Sequence, residues 1–404
     1  MTASPDSLAG LDATGSTGRW RDHLVMLGCA MVGFSSLYLT QSLGTELQRL
    51  HGLSVQECAA LLTATTLGLA VASPLAGLLV QRAGPRRALL AGLALLGLLD
   101  AGLAVAGDFP ALLVLRTVQG IAMPMVLSAL LTSIERQPSA RAALGISATY
   151  VMGTVCGGVI GRLLPASLVP AFGWAPAFLA LAALHGLAVL LALAGFRGGP
   201  AGRRGAAPRE RRQGGGPTLT AVYAGGFALL FSQIAVFTYI AFRLAEPPFG
   251  WSTAALGSLY LVFLPSLAFV HGSRQVVTGI GHARAVAAAA AVAWCGLLAT
   301  LTDLPAAIIA GLVAFSTAVF FVQAVLAHAL SLCPAASGAR ASGGYLFFYY
   351  LGGSLGSMAP ALLWPRFGWA GCLGLVAALQ LSLAALAWAA PAAGGTRRPD
   401  KRKA

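Results

Sequence analysis

Charge is what this chain has least of. Asp, Glu, Lys and Arg make up only 9% of its 404 residues, and the acids number 12 against 26 bases. An ordinary soluble domain carries about 25% charged residues, so this chain lacks the polar surface to meet water on all sides. Catalytic patterns are scarce too. There is no His-Glu-x-x-His and no pair of acids inside one apolar run, so an intramembrane hydrolase is not expected. The six cysteines (Cys29, Cys58, Cys156, Cys295, Cys333, Cys372) are scattered without Cys-x-x-Cys or Cys/His ligand spacing. That spacing excludes a metal or redox centre and leaves them as small packing residues, with no cofactor expected.

What the chain has instead is hydrophobic length: 57% of its residues are apolar. A helix needs about 20 apolar residues to cross the hydrocarbon core. Such runs fall at 23–45, 57–80, 87–107, 110–133, 142–164, 173–195, 219–243, 253–273, 284–302, 305–330, 341–363 and 368–390. In lipid every backbone group must find its partner within the segment, and strand-type alternation is absent, so helices are predicted throughout. The joints carry helix punctuation, as in Asp108-Phe109-Pro110, Asp303-Leu304-Pro305 and Phe172-Gly173-Trp174. The predicted fold is an all-α membrane protein of twelve transmembrane helices. Residues 1–22 are not read as a secretory signal, because the run after Arg19 and Arg21 is too long for one.

The positive charge sits on one side. Of the 26 Lys and Arg, 21 fall in the two tails, in the loops after the second, fourth, eighth and tenth runs, and in the segment between the sixth and seventh. The positive-inside bias then places both termini in the cytoplasm of a multi-pass inner-membrane protein. Six arginines and many glycines, without an apolar run, mark 196–218 as a basic cytoplasmic linker. No aromatics are interleaved with those arginines, so nucleic acid is not an expected partner. The domains expected are a tail 1–22, a half 23–195, the linker, a half 219–390 and a basic tail 391–404.

Phrases recur about 195–200 residues apart. Tyr150-x2-Gly153-x3-Gly157 matches Tyr349-x2-Gly352-x3-Gly356, and Phe172-Gly173-Trp174-Ala175 matches Phe367-Gly368-Trp369-Ala370. Gly52-Leu53-Ser54 matches Gly250-Trp251-Ser252. Three matches in one order at one offset predict a duplicated six-helix unit, with the substrate path between the halves near mid-bilayer.

Three motifs stand on this frame. Gly77-x3-Gln81-Arg82-x-Gly84-x-Arg86 joins the second and third runs. Leu112-x3-Arg116-x2-Gln119-Gly120 lies in the fourth, where an arginine costs about 2.5–3.5 kcal/mol unless solvated or paired. Arg116 is therefore expected to face a cavity, with Gln119 near the same face. Gly153, Gly157 and Gly161 place a small residue at every fourth position of the fifth run, which lets two helices approach closely. Over residues 20–390 the chain resembles the major facilitator superfamily, and most of all its bacterial proton-antiport drug and sugar efflux branch. The phrase Phe242-Arg243-Leu244-Ala245-Glu246-Pro247-Pro248-Phe249-Gly250 fits that branch. Gln81 stands where the superfamily loop has Asp. The resemblance implies alternating access, a conformational role for the Gly77–Arg86 loop, and proton coupling through Arg116.

Carboxylates on the runs expected to line the cavity are absent from mid-membrane. Glu46, Glu246 (three residues after Arg243) and Asp100 are the remaining proton-carrier candidates, with Glu246 ranked first. Tyr38, Gln41, Gln119, Gln233, Tyr239, Gln323, Tyr345 and Tyr349 are the polar and aromatic candidates for the substrate path. His185 and His328 are read as interfacial or packed. The expected function is proton-coupled efflux of a small organic molecule (a drug, a sugar or a siderophore-like metabolite) by a monomer. An importer or facilitator on the same fold remains the alternative.

Overall fold

A computed structural model describes residues 5–137, 139–196, 218–266, 276, 279, 282–332 and 339–389. Among them no strand occurs. The helices are α1 (Pro5–Ser35), α2 (Gly44–His51), α3 (Val55–Ala83), α4 (Pro85–Val105), α5 (Phe109–Glu135), α6 (Ala140–Phe172) and α7 (Trp174–Gly195). After the linker come α8 (Leu219–Ala245), α9 (Thr253–Ser258), α10 (His282–Ala299), α11 (Pro305–Leu332) and α12 (Ala339–Ala389). Two of these elements run on as 3₁₀ turns, Ser36–Tyr38 after α1 and Leu259–Phe263 after α9. Gly368, at φ 51° and ψ −138°, breaks α12 into the two helices expected at 341–363 and 368–390. The result is the predicted bundle of twelve membrane helices in two pseudo-symmetric six-helix halves. The linker and the C-terminal tail fall outside the described residues except at the linker's ends, as does most of the basic loop at 274–284.

The repeated phrases do the same work twice. Gly52 and Gly250 both take positive φ, 65° and 60°, a conformation open to glycine at little steric cost. Each is followed by a serine that caps the next helix: Ser54 accepts from the Glu57 amide at 3.2 Å and Ser252 from the Ala255 amide at 3.4 Å. Trp174 donates its indole N–H to the Leu103 carbonyl at 2.7 Å, and Trp369 donates to Thr300 Oγ1 at 3.2 Å. These joints, with those at Asp108 and Asp303, share one end of the bundle, which we call the Gly52 end.

Helix pairing explains the glycines. A Cβ on Gly157 would lie 2.2 Å from the Met31 carbonyl oxygen, and one on Gly161 would lie 2.1 Å from that of Ser35. Only glycine lets α6 seat against α1 so closely. The repeat reproduces this seam: Gly352 and Gly356 meet the Phe227 and Phe231 carbonyls of α8. Gly77 contrasts with them, because its Cβ would enter open space. Gly84 turns the chain at φ 83°, and Arg86 Nη2 donates to the Leu193 carbonyl at the end of α7, 3.0 Å away. Gln81 and Arg82 are exposed.

Three of the expected runs differ in the structure. Over its described residues the run 253–273 is the short α9 followed by the 3₁₀ turn Leu259–Phe263 rather than one α-helix. The run 23–45 is not one α-helix. Ser35 Oγ bonds back to the Val32 carbonyl at 2.7 Å, and the chain tightens into the 3₁₀ turn. The run 142–164 instead continues to Phe172, carrying Pro165 and Pro170 inside α6. That extension moves Arg162 from the end of a span to ten residues before its end.

Candidate functional site

The N-terminal half encloses a closed polar circuit. Arg116, fully buried on α5, donates from Nη1 to the Ser36 carbonyl at 2.7 Å and from Nη2 to the Leu37 carbonyl at 2.7 Å. Those two acceptors lie in the 3₁₀ turn, where the chain bonds i to i+3 instead, with Gln41 N donating to the Tyr38 carbonyl at 3.0 Å. Arg116 Nη1 also reaches Gln119 Oε1 at 2.6 Å, and Gln119 Nε2 donates to Asp100 Oδ1 at 2.7 Å. Asp100 Oδ2 lies 3.0 Å from His185 Nδ1 as a close contact without hydrogen-bond geometry, which leaves that buried oxygen without a hydrogen-bond partner, and His185 Nε2 lies 3.1 Å from Ser36 Oγ, which closes the ring of contacts. No member is more than 1% exposed. Four separate elements supply it: α4, α5, α7 and the turn after α1.

Its chemistry follows from donor and acceptor counting. His185 Nδ1 donates to the Leu181 carbonyl at 3.1 Å, with the Asp100 carboxylate close by, so Nδ1 carries a hydrogen. In the neutral ring Nε2 then accepts from the Ser36 hydroxyl. In the imidazolium it donates to the same oxygen. The circuit therefore accommodates one further proton without a new partner, and that proton reverses the Ser36 bond. The sequence singles out Asp100 and Arg116, whereas His185 reads as interfacial or packed. In the structure His185 is the twelfth residue of a 22-residue helix. An ionisable residue at that depth is itself the missed signal. Arg116 likewise does not face a cavity; it is sealed within its own half.

A second arginine lies between the halves. Arg162 of α6, 2% exposed, donates from Nε to Gln41 Oε1 at 2.7 Å and from Nη1 to the Gly158 carbonyl at 2.6 Å. Its guanidinium carbon stands 3.6 Å from the Tyr38 ring centroid, 4.6 Å from that of Tyr260 and 5.4 Å from that of Phe263. Gln41 passes the contact across to the other half, donating from Nε2 to Thr238 Oγ1 of α8 at 2.9 Å. Near it Glu46, paired with Arg49 at 2.6 Å, accepts from Thr253 Oγ1 of α9 at 2.9 Å. Gln56 Nε2 reaches the Ala361 carbonyl at 3.3 Å, and Ser357 Oγ donates to the Ala59 carbonyl at 2.9 Å. The halves are thus latched at the Gly52 end by neutral bonds and one bridged carboxylate.

Other candidates lie elsewhere. The expected Glu246–Arg243 pair is not formed. Glu246 is an exposed helix cap, and Arg243 turns to Asp303 at 3.1 Å and to the carbonyls of Thr300 and Thr302, because the end of α10 presents acceptors to it. Tyr239 is wholly buried and donates to the Ser357 carbonyl at 2.6 Å, a contact within its own half. Tyr345 stacks on Tyr349, with centroids 5.8 Å apart, beside the buried Tyr350. Gln233 is buried on α8 and Gln323 half-buried on α11. His328 lies outside the residues whose side chains are described. The run Gly352-Gly353-Ser354-Leu355-Gly356 has the spacing of a hydrolase nucleophile turn, but it lies inside a helix. Ser354 there bonds to Thr66 Oγ1 at 2.9 Å and to the Tyr350 carbonyl at 2.9 Å.

A family model described as Major Facilitator Superfamily matches residues 24–357. The MFS-type transporter YybF of Bacillus subtilis (strain 168), itself described as uncharacterized, is 26% identical over 382 residues, 91% of this chain and 92% of YybF. The inner membrane transport protein YnfM of Escherichia coli (strain K12) is 26% identical over 381 residues, 91% of this chain and 89% of YnfM. Among solved structures, a bacterial homologue of the human lysosomal transporter Spinster, inward-facing and unoccupied, is similar with a TM-score of 0.68 at 15% identity. That likeness covers 91% of this chain and 94% of the other.

Proposed function

Since this chain belongs to the Major Facilitator Superfamily and is a multi-pass membrane transporter, we propose that it exports a small organic molecule by alternating access, driven by a proton taken at Asp100–His185. The observation that carries this reading is the buried circuit. A desolvated carboxylate and imidazole are expensive inside a membrane bundle and mark ion pathways when they occur. Here they bear, through Ser36 and Arg116, on the turn that leads directly into Tyr38 and Gln41 at the meeting of the halves. A proton arriving at His185 reverses the Ser36 bond and shifts the turn that sets Gln41.

The magnitudes are compatible. The bonds latching the halves at the Gly52 end contribute roughly 0.5–1.5 kcal/mol each, so opening that end costs a few kcal/mol. One proton moving down a 100 mV potential supplies about 2.3 kcal/mol. By the positive-inside bias the Gly52 end faces away from the cytoplasm, and the latched state is the one closed to the outside. The glycine seam between α1 and α6 suits a helix pair that moves as one body. Gln81, where the superfamily loop has Asp, favours a second reading, a facilitator without proton drive, because a neutral amide there offers no titratable or charge-pairing group beside Arg82.

The test begins with metabolite profiles of medium from deletion and overexpressing cells. The compounds enriched by overexpression are then supplied to inverted vesicles. Uptake that stops when a protonophore collapses the gradient supports proton-coupled export. Uptake indifferent to it supports the facilitator.

A further inference from the structure

Arg162 differs from the other buried arginine in what neutralises it. Arg116 reaches Asp100 through one amide, within its own half. Among the described residues no carboxylate pairs with Arg162. Its ligands are an amide oxygen, a backbone carbonyl and aromatic faces. These hold a cation in place without cancelling its charge. Nor does the helix seam demand it: in the repeat register of Gly157 and Gly356, the position corresponding to Arg162 is Ala361, which is buried just as completely. The chain thus keeps a desolvated positive charge where α6 meets the 3₁₀ turns that follow α1 and α9, in contact with both halves. A cavity of about 10 Å³ lies on the other side of Gln41 from it, lined by Gln41, Ser42, Thr45 and Thr238 together with the apolar Phe242 and Leu256.

We propose that Arg162 is the substrate-recognising residue, and that the transported molecule is an amphiphilic organic anion with a carboxylate or similar oxyanion on an apolar body. The inference rests on the transport reading above and names its substrate class. The anion takes the guanidinium edge now held by Gln41 Oε1, and its apolar part lies along the rings of Tyr38, Tyr260 and Phe263. Displacing Gln41 from Arg162 also frees the amide that bonds Thr238 across the halves. Binding the anion therefore loosens a latch, which links occupancy to opening.

The test uses the full chain in nanodiscs of zwitterionic lipid, with 1-naphthoate, 1-naphthamide and 1-naphthylmethylammonium as probes of one shape and three charges, and octanoate as a second anion. Affinity is read from the rise in melting temperature with probe concentration. At least one anion should stabilise the wild type, and the amide and ammonium should not. A charge-assisted contact is worth a factor of roughly 10–100 in affinity, so Arg162→Gln should weaken anion binding by that factor, with Arg162→Lys between the two. Unliganded melting curves show whether each variant is folded. Stabilisation by neither anion, equal stabilisation by amide and anion, or undiminished binding to Arg162→Gln overturns the proposal. None of these outcomes touches the transport reading, which fails instead if wild-type vesicles move none of the compounds enriched in medium.

Discussion

Replacing Gly157 with alanine puts a methyl group 2.2 Å from the Met31 carbonyl oxygen. Carbon and carbonyl oxygen normally rest no closer than about 3.3 Å, so α1 and α6 must part by about 1 Å at that turn. One turn further on, Gly161 is just as tight against Ser35, so the helices cannot pivot there to relieve the clash. The segment displaced leads into Ser36 and Leu37, whose carbonyls hold Arg116. Overpacking of this kind costs about 1–3 kcal/mol. Gly157→Ala should therefore lower the melting temperature of the purified protein and reduce transport in vesicles. Gly77→Ala is the matched control. Its methyl enters open space within a helix, where alanine is favoured over glycine by about 1 kcal/mol, so stability should hold or rise. If Gly157→Ala proves as stable and as active as Gly77→Ala, the seam does not hold the site.

Arg116→Ala should abolish gradient-driven transport while the protein still reaches the membrane. Arg116→Lys should recover only part, because an ammonium cannot span the Ser36 and Leu37 carbonyls and Gln119 as a planar fork does; wild-type rates in Arg116→Ala vesicles would count against the circuit. Glu246→Gln should respond to a pH gradient as wild type does, since the residue is exposed and unpaired with Arg243; loss of that response would return Glu246 to the coupling path. An alkaline phosphatase fusion at Gly199 should be inactive and one at Gly107 active. The reverse pattern would invert the assigned orientation.

Much of the fold was legible because membrane helices announce themselves by length and because the repeat is written in glycine and tryptophan. Gly52 and Gly250, or Trp174 and Trp369, recur because the same turn geometry is needed twice. The site was less legible. Asp100 and His185 lie far apart in the chain, and nothing in one sequence states that α4 and α7 face each other through Gly97, whose Cβ would meet that of His185 at 2.8 Å. Arg162 is absent from the sequence candidates for a different reason. An apolar run read as ending at residue 164 made it a boundary residue, whereas α6 continues through Pro165 and Pro170. The run 23–45 hid a 3₁₀ turn because apolar composition cannot distinguish it from α-helix, and that turn supplies the carbonyls that hold Arg116.

We propose that a proton at Asp100–His185 drives the transport cycle. This is tested most directly in inverted vesicles carrying wild type, Asp100→Asn or His185→Gln, supplied with a compound enriched in the medium of overexpressing cells and given an imposed pH gradient. Wild-type uptake should rise with the gradient. In both variants uptake should become independent of it, while exchange of labelled for unlabelled compound without a gradient persists. Gradient-driven uptake of wild-type size in either variant would show that Asp100 and His185 do not carry the coupling proton.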